Sequence, residues 1–138
     1  MKKLILFLGF LAVGLLGDQI RFLDSYQKAM EIGVKEGKPV MVMMVTSRCP
    51  WCMRMKERTL PDPKVTEKIN ANYIPVMINR DTDPYPEELY AKLVPTIYYL
   101  DPKDGELLYE TIGYKSPALF LEDLKEGLIE FEAHRKGE

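Results

Sequence analysis

The pattern of apolar and polar positions predicts four strands. Residues 39–45 form an apolar run that is too short for a typical helix and indicates a strand covered on both faces. Residues 73–79 predict a second strand, with Pro75 near its start because proline cannot donate to a ladder. Residues 96–100 and 107–112 flank a turn containing proline and glycine, which predicts a hairpin.

Apolar residues at helical spacing, together with capping residues and prolines at first turns, predict five helices. The predicted helices cover residues 22–36 with Asp24 as cap, 49–58, 63–71, 86–93 and 116–133, and residues 134–138 are a polar tail. The order is helix, strand, helix, helix, strand, helix, hairpin, helix. This order predicts an α/β fold in which a mixed sheet of about four strands carries helices on both faces.

Residues 1–17 have the pattern of a secretory signal peptide. A basic start precedes residues 4–16, which contain no polar side chain and end in small residues. A membrane-spanning helix needs about 20 apolar residues, and Asp18 ends this run earlier. We expect cleavage after Gly17, which leaves residues 18–138 as one domain, periplasmic or secreted. An uncleaved segment that anchors the domain in the inner membrane is the alternative.

The net charge argues against nucleic acid as a partner. The formal charge is −2, and removal of residues 1–17, which carry two lysines and no acid, changes it to −4. Export also places the cysteines outside the reducing cytosol, where disulfides persist.

The two cysteines of the chain, Cys49 and Cys52, are separated by two residues, so that they can close a disulfide across one helical turn. Pro50 suits the first helical position, which places Cys49 at the N-cap and Cys52 in the first turn. A sulfur at the N-cap faces the amides of Trp51 and Cys52 and the positive end of the helix dipole. Arg48 adds positive charge. We therefore predict that Cys49 is the attacking thiolate and that Cys52 is the resolving thiol.

Other interpretations of the pair fit less well. A structural disulfide usually closes a longer loop. A zinc site needs a second ligand pair, and the chain offers no other cysteine and one histidine, His134. A buried inert pair is a poor match to the surrounding sequence, and a vestigial pair in a binding module remains a third class of function. We expect no metal and no cofactor besides the redox-active disulfide between Cys49 and Cys52.

Methionines on both sides of the pair leave one further hypothesis open. They are Met41, Met43, Met44, Met53 and Met55. Soft sulfur ligands beside two cysteines suit Cu(I), as in a copper delivery protein. In the simpler interpretation the first three fill the core of the strand, and Met53 or Met55 lines an adaptable surface for partner proteins.

The order of elements, with Cys49-Pro50-Trp51-Cys52 at a strand-to-helix junction and Val94-Pro95 before the hairpin, resembles the thioredoxin family over about residues 22–133. The resemblance implies a three-layer α/β/α sandwich and thiol:disulfide oxidoreductase activity. It also implies that a cis bond precedes Pro95, that Pro95 lies against the cysteines, and that the Val94 backbone bonds the substrate segment. Trp51 would then be a partly exposed contact platform.

One position departs from the family pattern. Thioredoxin itself carries a buried acid six residues before the first cysteine, where this chain has Met43. Glu57, one turn beyond Cys52, is either a water-mediated substitute or a surface residue. Residues 55–65 resemble exported thioredoxin-like proteins that are similar to the periplasmic domain of a membrane electron transporter, which favours a reductant. Proline directly after the first cysteine also occurs in strongly oxidising relatives, so that the sequence leaves the direction of electron flow open. The resemblance implies protein thiols or disulfides as substrates and a membrane-bound recycling partner.

Overall fold

The protein was analysed as a computed structural model, which describes residues 18–137. The predicted signal peptide, residues 1–17, lies outside the described residues. The elements are α1 (Tyr26–Glu36), β1 (Val40–Val45), α2 (Pro50–Arg58), α3 (Pro63–Asn72), β2 (Ile74–Asn79), a short 3-10 turn (Glu87–Leu89), β3 (Thr96–Leu100), β4 (Leu107–Ile112) and α4 (Pro117–Lys136).

The sheet has the strand order β2-β1-β3-β4 and is mixed, as predicted. β1 is parallel to β2 and antiparallel to β3, and β3 is antiparallel to β4. All six residues of β1 are buried, because alternate side chains enter two cores. Met41, Met43 and Val45 face the cysteine-side core with α2, α3 and α4 residues. The other three β1 side chains face the α1-side core, so that helices cover both faces of the sheet.

α1 begins later than the sequence pattern predicts. The N-cap is Ser25, whose hydroxyl accepts the Lys28 amide, and the predicted start at Phe22 with Asp24 as cap is wrong. Leu23 instead extends along the edge of β2. Its amide donates to a β2 carbonyl at 2.9 Å, and its carbonyl accepts a β2 amide at 3.0 Å. These bonds satisfy backbone groups of the edge strand β2. Because Leu23 pairs with β2, it is not available to begin a helix.

The predicted helix at residues 86–93 is also wrong, since only the 3-10 turn Glu87–Leu89 forms there. The Arg80 guanidinium donates to the carbonyl oxygens of Ala91 and Lys92 at 2.8 and 3.1 Å. These side-chain bonds occupy carbonyl groups of the segment that leads into β3, where no further helical turn forms.

α4 continues to Lys136, so that most of the predicted polar tail is helical. Its middle approaches the sheet closely at Gly127. A Cβ there would lie 2.6 Å from the Tyr99 ring and 2.7 Å from the Tyr73 hydroxyl oxygen. Burial raises the pKa of both tyrosines, so that their hydroxyls stay protonated near neutral pH. No helix within residues 18–137 combines the length and the apolar character needed to cross a bilayer.

Candidate active site

The cysteine pair lies at the N-terminus of α2, directly after the loop that leaves β1. Cys49 is the N-cap with extended backbone angles, Pro50 occupies the first turn, and the two cysteines form a disulfide. The Cys52 amide donates to the Cys49 Sγ over 3.0 Å. Of the two amides expected to face this sulfur, the Trp51 amide makes no such bond within the described residues. The helix end therefore directs one N–H group at the Cys49 sulfur, which favours a thiolate there once the disulfide is reduced.

The two cysteines differ in exposure. Cys49 is 7% exposed and Cys52 is 1% exposed, and both belong to the cysteine-side core. A thiolate arriving from solvent reaches Cys49 far more readily, and attack on a disulfide follows access to the sulfur. The roles of the two residues in exchange stay a prediction.

A second segment reaches the disulfide from the start of β3. The peptide bond between Val94 and Pro95 is cis, and the Val94 carbonyl oxygen lies 3.6 Å from the Cys49 Sγ. The Pro95 carbonyl accepts the Gly113 amide at 2.7 Å, which joins this segment to the end of β4. The Val94 amide donates to no carbonyl or side chain within residues 18–137. A main-chain donor thus lies close to the sulfur and remains available to an extended partner segment.

A third segment follows β4 and completes the rim. The Thr59 hydroxyl donates to the Lys115 carbonyl oxygen, which ties this loop to the end of α2. The Tyr114 ring lies 5.9 Å from that of Trp51, which is 54% exposed, as expected for a contact platform. The Arg54 guanidinium lies 5.5 and 5.6 Å from these two rings. The exposed Trp51 and Arg54 and the partly buried Tyr114 form a surface patch beside the disulfide, called here the aromatic–arginine patch.

Two of these contributions were not anticipated from the sequence. Arg54 lies three residues after Trp51 on a helix, and this spacing could have indicated the contact. Arg80 directly follows β2, and the end of a strand parallel to β1 lies near the cysteine motif. Its amide bonds the Val45 carbonyl oxygen at 2.9 Å, and its side chain holds the segment before Val94, so that it is a positioning residue.

The segment that carries the cysteine pair has more basic than acidic side chains. Arg48 is exposed, and α2 carries Arg54, Lys56 and Arg58 against the single acid Glu57. Glu57 is exposed, which fits the surface interpretation of this residue. Cations near a cysteine stabilise its thiolate, although water screens exposed charges strongly.

The methionines divide into buried and exposed members. Met43 is fully buried in the same core as Cys52, so that the position of the thioredoxin acid holds an apolar side chain. Met41, Met44 and Met55 are also fully buried, whereas Met53 is 57% exposed. The strand methionines therefore fill the core, and Met53 is the member of this group that reaches solvent.

Comparison with known proteins identifies the family and the fold of the chain. A family model described as a thioredoxin-like domain matches residues 26–128. A thioredoxin from Thermus thermophilus has 28% sequence identity and a TM-score of 0.74, over 88% of this chain and 95% of the other. The C-terminal domain of Neisseria meningitidis DsbD in its oxidised form has 20% identity and a TM-score of 0.61, over 77% and 98% of the two chains, and shows likeness of fold.

A curated relative is Spermatogenesis-associated protein 20 of Mus musculus, 31% identical over 68 residues. That match covers 49% of this chain and 9% of the relative, so that the chain spans a small fraction of the relative's length. A family model covering most of the chain, a mixed four-stranded sheet with flanking helices and a disulfide-forming Cys-x-x-Cys pair lead to one conclusion. The chain belongs to the thioredoxin-like family.

Proposed function

We propose that this protein is an exported thiol:disulfide oxidoreductase, that it exchanges disulfides with protein substrates through Cys49 and Cys52, and that it acts mainly as a reductant. One observation carries the proposal. The disulfide lies at a helix N-terminus with its more accessible sulfur 3.6 Å from the Val94 carbonyl oxygen, and the Val94 amide donates to no group within residues 18–137.

The reaction proceeds in two exchanges. The Cys49 thiolate attacks one sulfur of a substrate disulfide, a mixed disulfide forms, and one substrate thiolate leaves. The Cys52 thiolate then attacks the Cys49 sulfur, closes the internal disulfide and releases the second substrate thiolate. Two electrons pass from the protein to the substrate, and the two protons of the dithiol end on the substrate thiols. The reverse sequence oxidises a substrate dithiol.

The surroundings of Cys49 support docking of an extended protein segment. The Val94 backbone offers main-chain hydrogen bonds next to the sulfur, and such bonds tolerate many substrate sequences. Trp51, on the helix that carries the disulfide, adds exposed apolar contact area. Protein substrates are thus favoured over small disulfides, which would use neither feature.

The direction of electron flow depends on how strongly the Cys49 thiolate is stabilised, because a stabilised reduced form makes the pair oxidising. One amide donates to the sulfur, and the nearby Val94 carbonyl oxygen opposes negative charge there. The neighbouring cations Arg48 and Arg54 are exposed and therefore screened by water. This balance limits the stabilisation and supports the reductant direction, with a membrane-bound partner returning electrons to the pair.

The first experiment measures insulin reduction by the wild type and by Cys49→Ser. We expect the variant to lose at least about 100-fold in rate, because the nucleophile is gone. Full activity of Cys49→Ser would overturn the assignment. Equilibration of the wild type with glutathione then measures the potential. A value below roughly −230 mV is expected for a reductant, and one near about −120 mV would show an oxidant.

Export has a separate test. We expect the full chain, expressed in a bacterium, to reach the periplasm and to begin at Asp18 when its N-terminus is measured by mass spectrometry. Retention of residues 1–17 on a membrane-bound protein would support the anchored alternative.

A copper delivery protein is the second candidate, favoured by the exposure of Met53 one residue after Cys52. Anaerobic Cu(I) titration of the reduced protein separates the two functions. Tight stoichiometric binding that Met53→Leu weakens, without insulin reduction, would support delivery over exchange.

A further inference from the structure

Three potential metal ligands meet at the end of the sheet opposite the cysteines. Asp101 directly follows β3, Asp104 lies in the β3–β4 turn, and His134 lies in the last turns of α4. The His134 Nε2 is 2.8 Å from the Asp104 Oδ2 and 4.0 Å from the Asp101 Oδ2. One ligand atom from each residue lies within 4.8 Å of the others.

Each aspartate uses one oxygen for the turn and presents the other to the histidine. The Asp101 Oδ1 accepts the Lys103 amide, and the Asp104 Oδ1 accepts the Glu106 amide, both at 2.9 Å. These turn bonds orient the two Oδ2 atoms toward the same imidazole. The convergence therefore depends on two independent backbone contacts.

The Asp101 Oδ2 has no hydrogen-bond partner within the described residues, and Asp101 is 2% exposed. A histidine Nε2 carries at most one proton, and its 2.8 Å contact with Asp104 uses that position. Protonation of His134 therefore satisfies one carboxylate and leaves the buried one 4.0 Å away. An unsatisfied buried carboxylate oxygen is costly, so that this arrangement favours a cation able to contact all three groups.

We propose that Asp101, Asp104 and His134 bind a divalent transition metal ion, with Zn²⁺ as the ion. Two carboxylates and one imidazole form a three-ligand set, and water supplies the fourth tetrahedral position. Zinc–ligand distances of about 2.0–2.2 Å place the ligand atoms of a tetrahedral site roughly 3.3 Å apart. This value lies between the 2.8 Å and 4.0 Å that separate the His134 Nε2 from the Oδ2 atoms of Asp104 and Asp101. The imidazole favours zinc over magnesium or calcium.

The site is structural and independent of the redox chemistry. The antiparallel register pairs Val40 with Leu100 and Met44 with Thr96, so that Asp101 lies at the far end of β3 from the disulfide, about 16 Å along the strand. A bound ion would join the β3–β4 turn to the end of α4. It would raise the stability of the folded state by mass action and leave the exchange rate unchanged.

The test uses the untagged full chain in its oxidised form, because reduced cysteines would bind zinc themselves. Calorimetric titration with Zn²⁺ alone is expected to show one site, and the melting temperature is expected to rise relative to protein in EDTA. His134→Gln removes the single histidine of the chain and is expected to weaken binding at least about 10-fold. Asp104→Asn should act similarly, and Glu132→Gln, an exposed acid on the same helix, is the matched control.

Melting curves in EDTA show whether each variant remains folded, so that lost binding is not mistaken for lost structure. The proposal is overturned if no saturable binding occurs below about 1 mM Zn²⁺. It is equally overturned if His134→Gln binds as tightly as the control, or if zinc leaves the melting temperature unchanged. Insulin reduction by EDTA-treated wild type should be normal, so that failure here is distinguishable from failure of the proposed redox function.

Discussion

The two ends of the sheet use their polar groups differently. At the end with the disulfide, Arg48 and Arg54 form no ion pair within residues 18–137, and the Val94 amide donates to no internal group. At the opposite end, polar groups contact each other, and His134 lies 2.8 Å from Asp104. The first arrangement keeps charges and main-chain groups available to a partner protein, whereas the second connects a turn to a helix.

This contrast separates chemistry from stability. Changes at the disulfide end should alter the exchange rate with little effect on the free energy of unfolding. Changes in the α4 half of the domain should do the reverse. Four predictions test the separation, in order of decreasing effect.

Replacement of the second cysteine should stop turnover while leaving the first step intact. In Cys52→Ser, Cys49 still attacks, but the mixed disulfide has no internal thiol to resolve it. We expect turnover to fall at least about 100-fold and a covalent substrate complex to accumulate, visible on non-reducing gels. The double variant Cys49→Ser with Cys52→Ser is the control and should trap nothing. If Cys49→Ser alone accumulates as much covalent substrate complex as Cys52→Ser, Cys52 is the attacking cysteine and Cys49 is the resolving one.

A methyl group at Gly127 should destabilise the domain without changing its chemistry. Its Cβ would lie 2.6 Å from the Tyr99 ring, and overpacking of this kind costs about 1–3 kcal/mol. Chemical denaturation measures the loss, and the folded variant should reduce insulin at the wild-type rate. Gly137→Ala is the matched control, because its nearest contact would be 3.6 Å. A slower reaction in folded Gly127→Ala would show that the two regions are coupled.

The aromatic–arginine patch should influence which substrates react fastest. Arg54→Gln removes a cation beside the disulfide, which would attract acidic peptides. We therefore expect the ratio of the reaction rate of peptide disulfides with acidic flanks to that of peptide disulfides with basic flanks to fall up to about fivefold in the variant. Stopped-flow rates at low and high salt measure this ratio, and salt should reduce the difference. Arg21→Gln, at the far end of the sheet, should leave the ratio unchanged. If the ratio is unchanged in Arg54→Gln, the aromatic–arginine patch does not select substrates by their charge.

The smallest effect concerns Asp123 on α4. Burial raises the pKa of this carboxyl group, although Lys115 acts in the opposite direction. The folded state therefore holds the proton more tightly than the unfolded state, and the associated stability is present at low pH and lost as pH rises through the folded pKa. Asp123→Asn should melt higher than the wild type at pH 7 and show a smaller gain on acidification. Glu122→Gln, its exposed neighbour, should follow the wild type.

Local geometry at the reactive cysteine was predictable because capping involves neighbouring residues. Pro50 in the first turn and Cys49 at the N-cap follow from positions adjacent in sequence. The buried central strand was predictable for a similar reason, since a continuous apolar run has no face for solvent. Predictions failed where distant groups compete with local preference, as at Leu23, which pairs with β2, and at residues 86–93, where Arg80 binds carbonyls.

His134 shows the same limit at the other end of the sheet. The sequence placed it in a solvated tail, but α4 extends further and brings it against Asp104, 30 residues earlier. Cations in the last turn of a helix interact favourably with its dipole, and this local signal indicates the extension without indicating the partner.

The sequence by itself determined the order of elements, the mixed sheet and the redox pair at a helix start, because each depends on periodicity or on capping over a few residues. The family resemblance implied the place of Val94, whereas tertiary structure alone brought the Tyr114 ring to within 5.9 Å of the Trp51 ring. Apolar periodicity specifies which face of an element is buried, but not which loop of the folded chain will lie opposite. Contacts over 45 or more residues form only when the sheet closes, and they complete the active site.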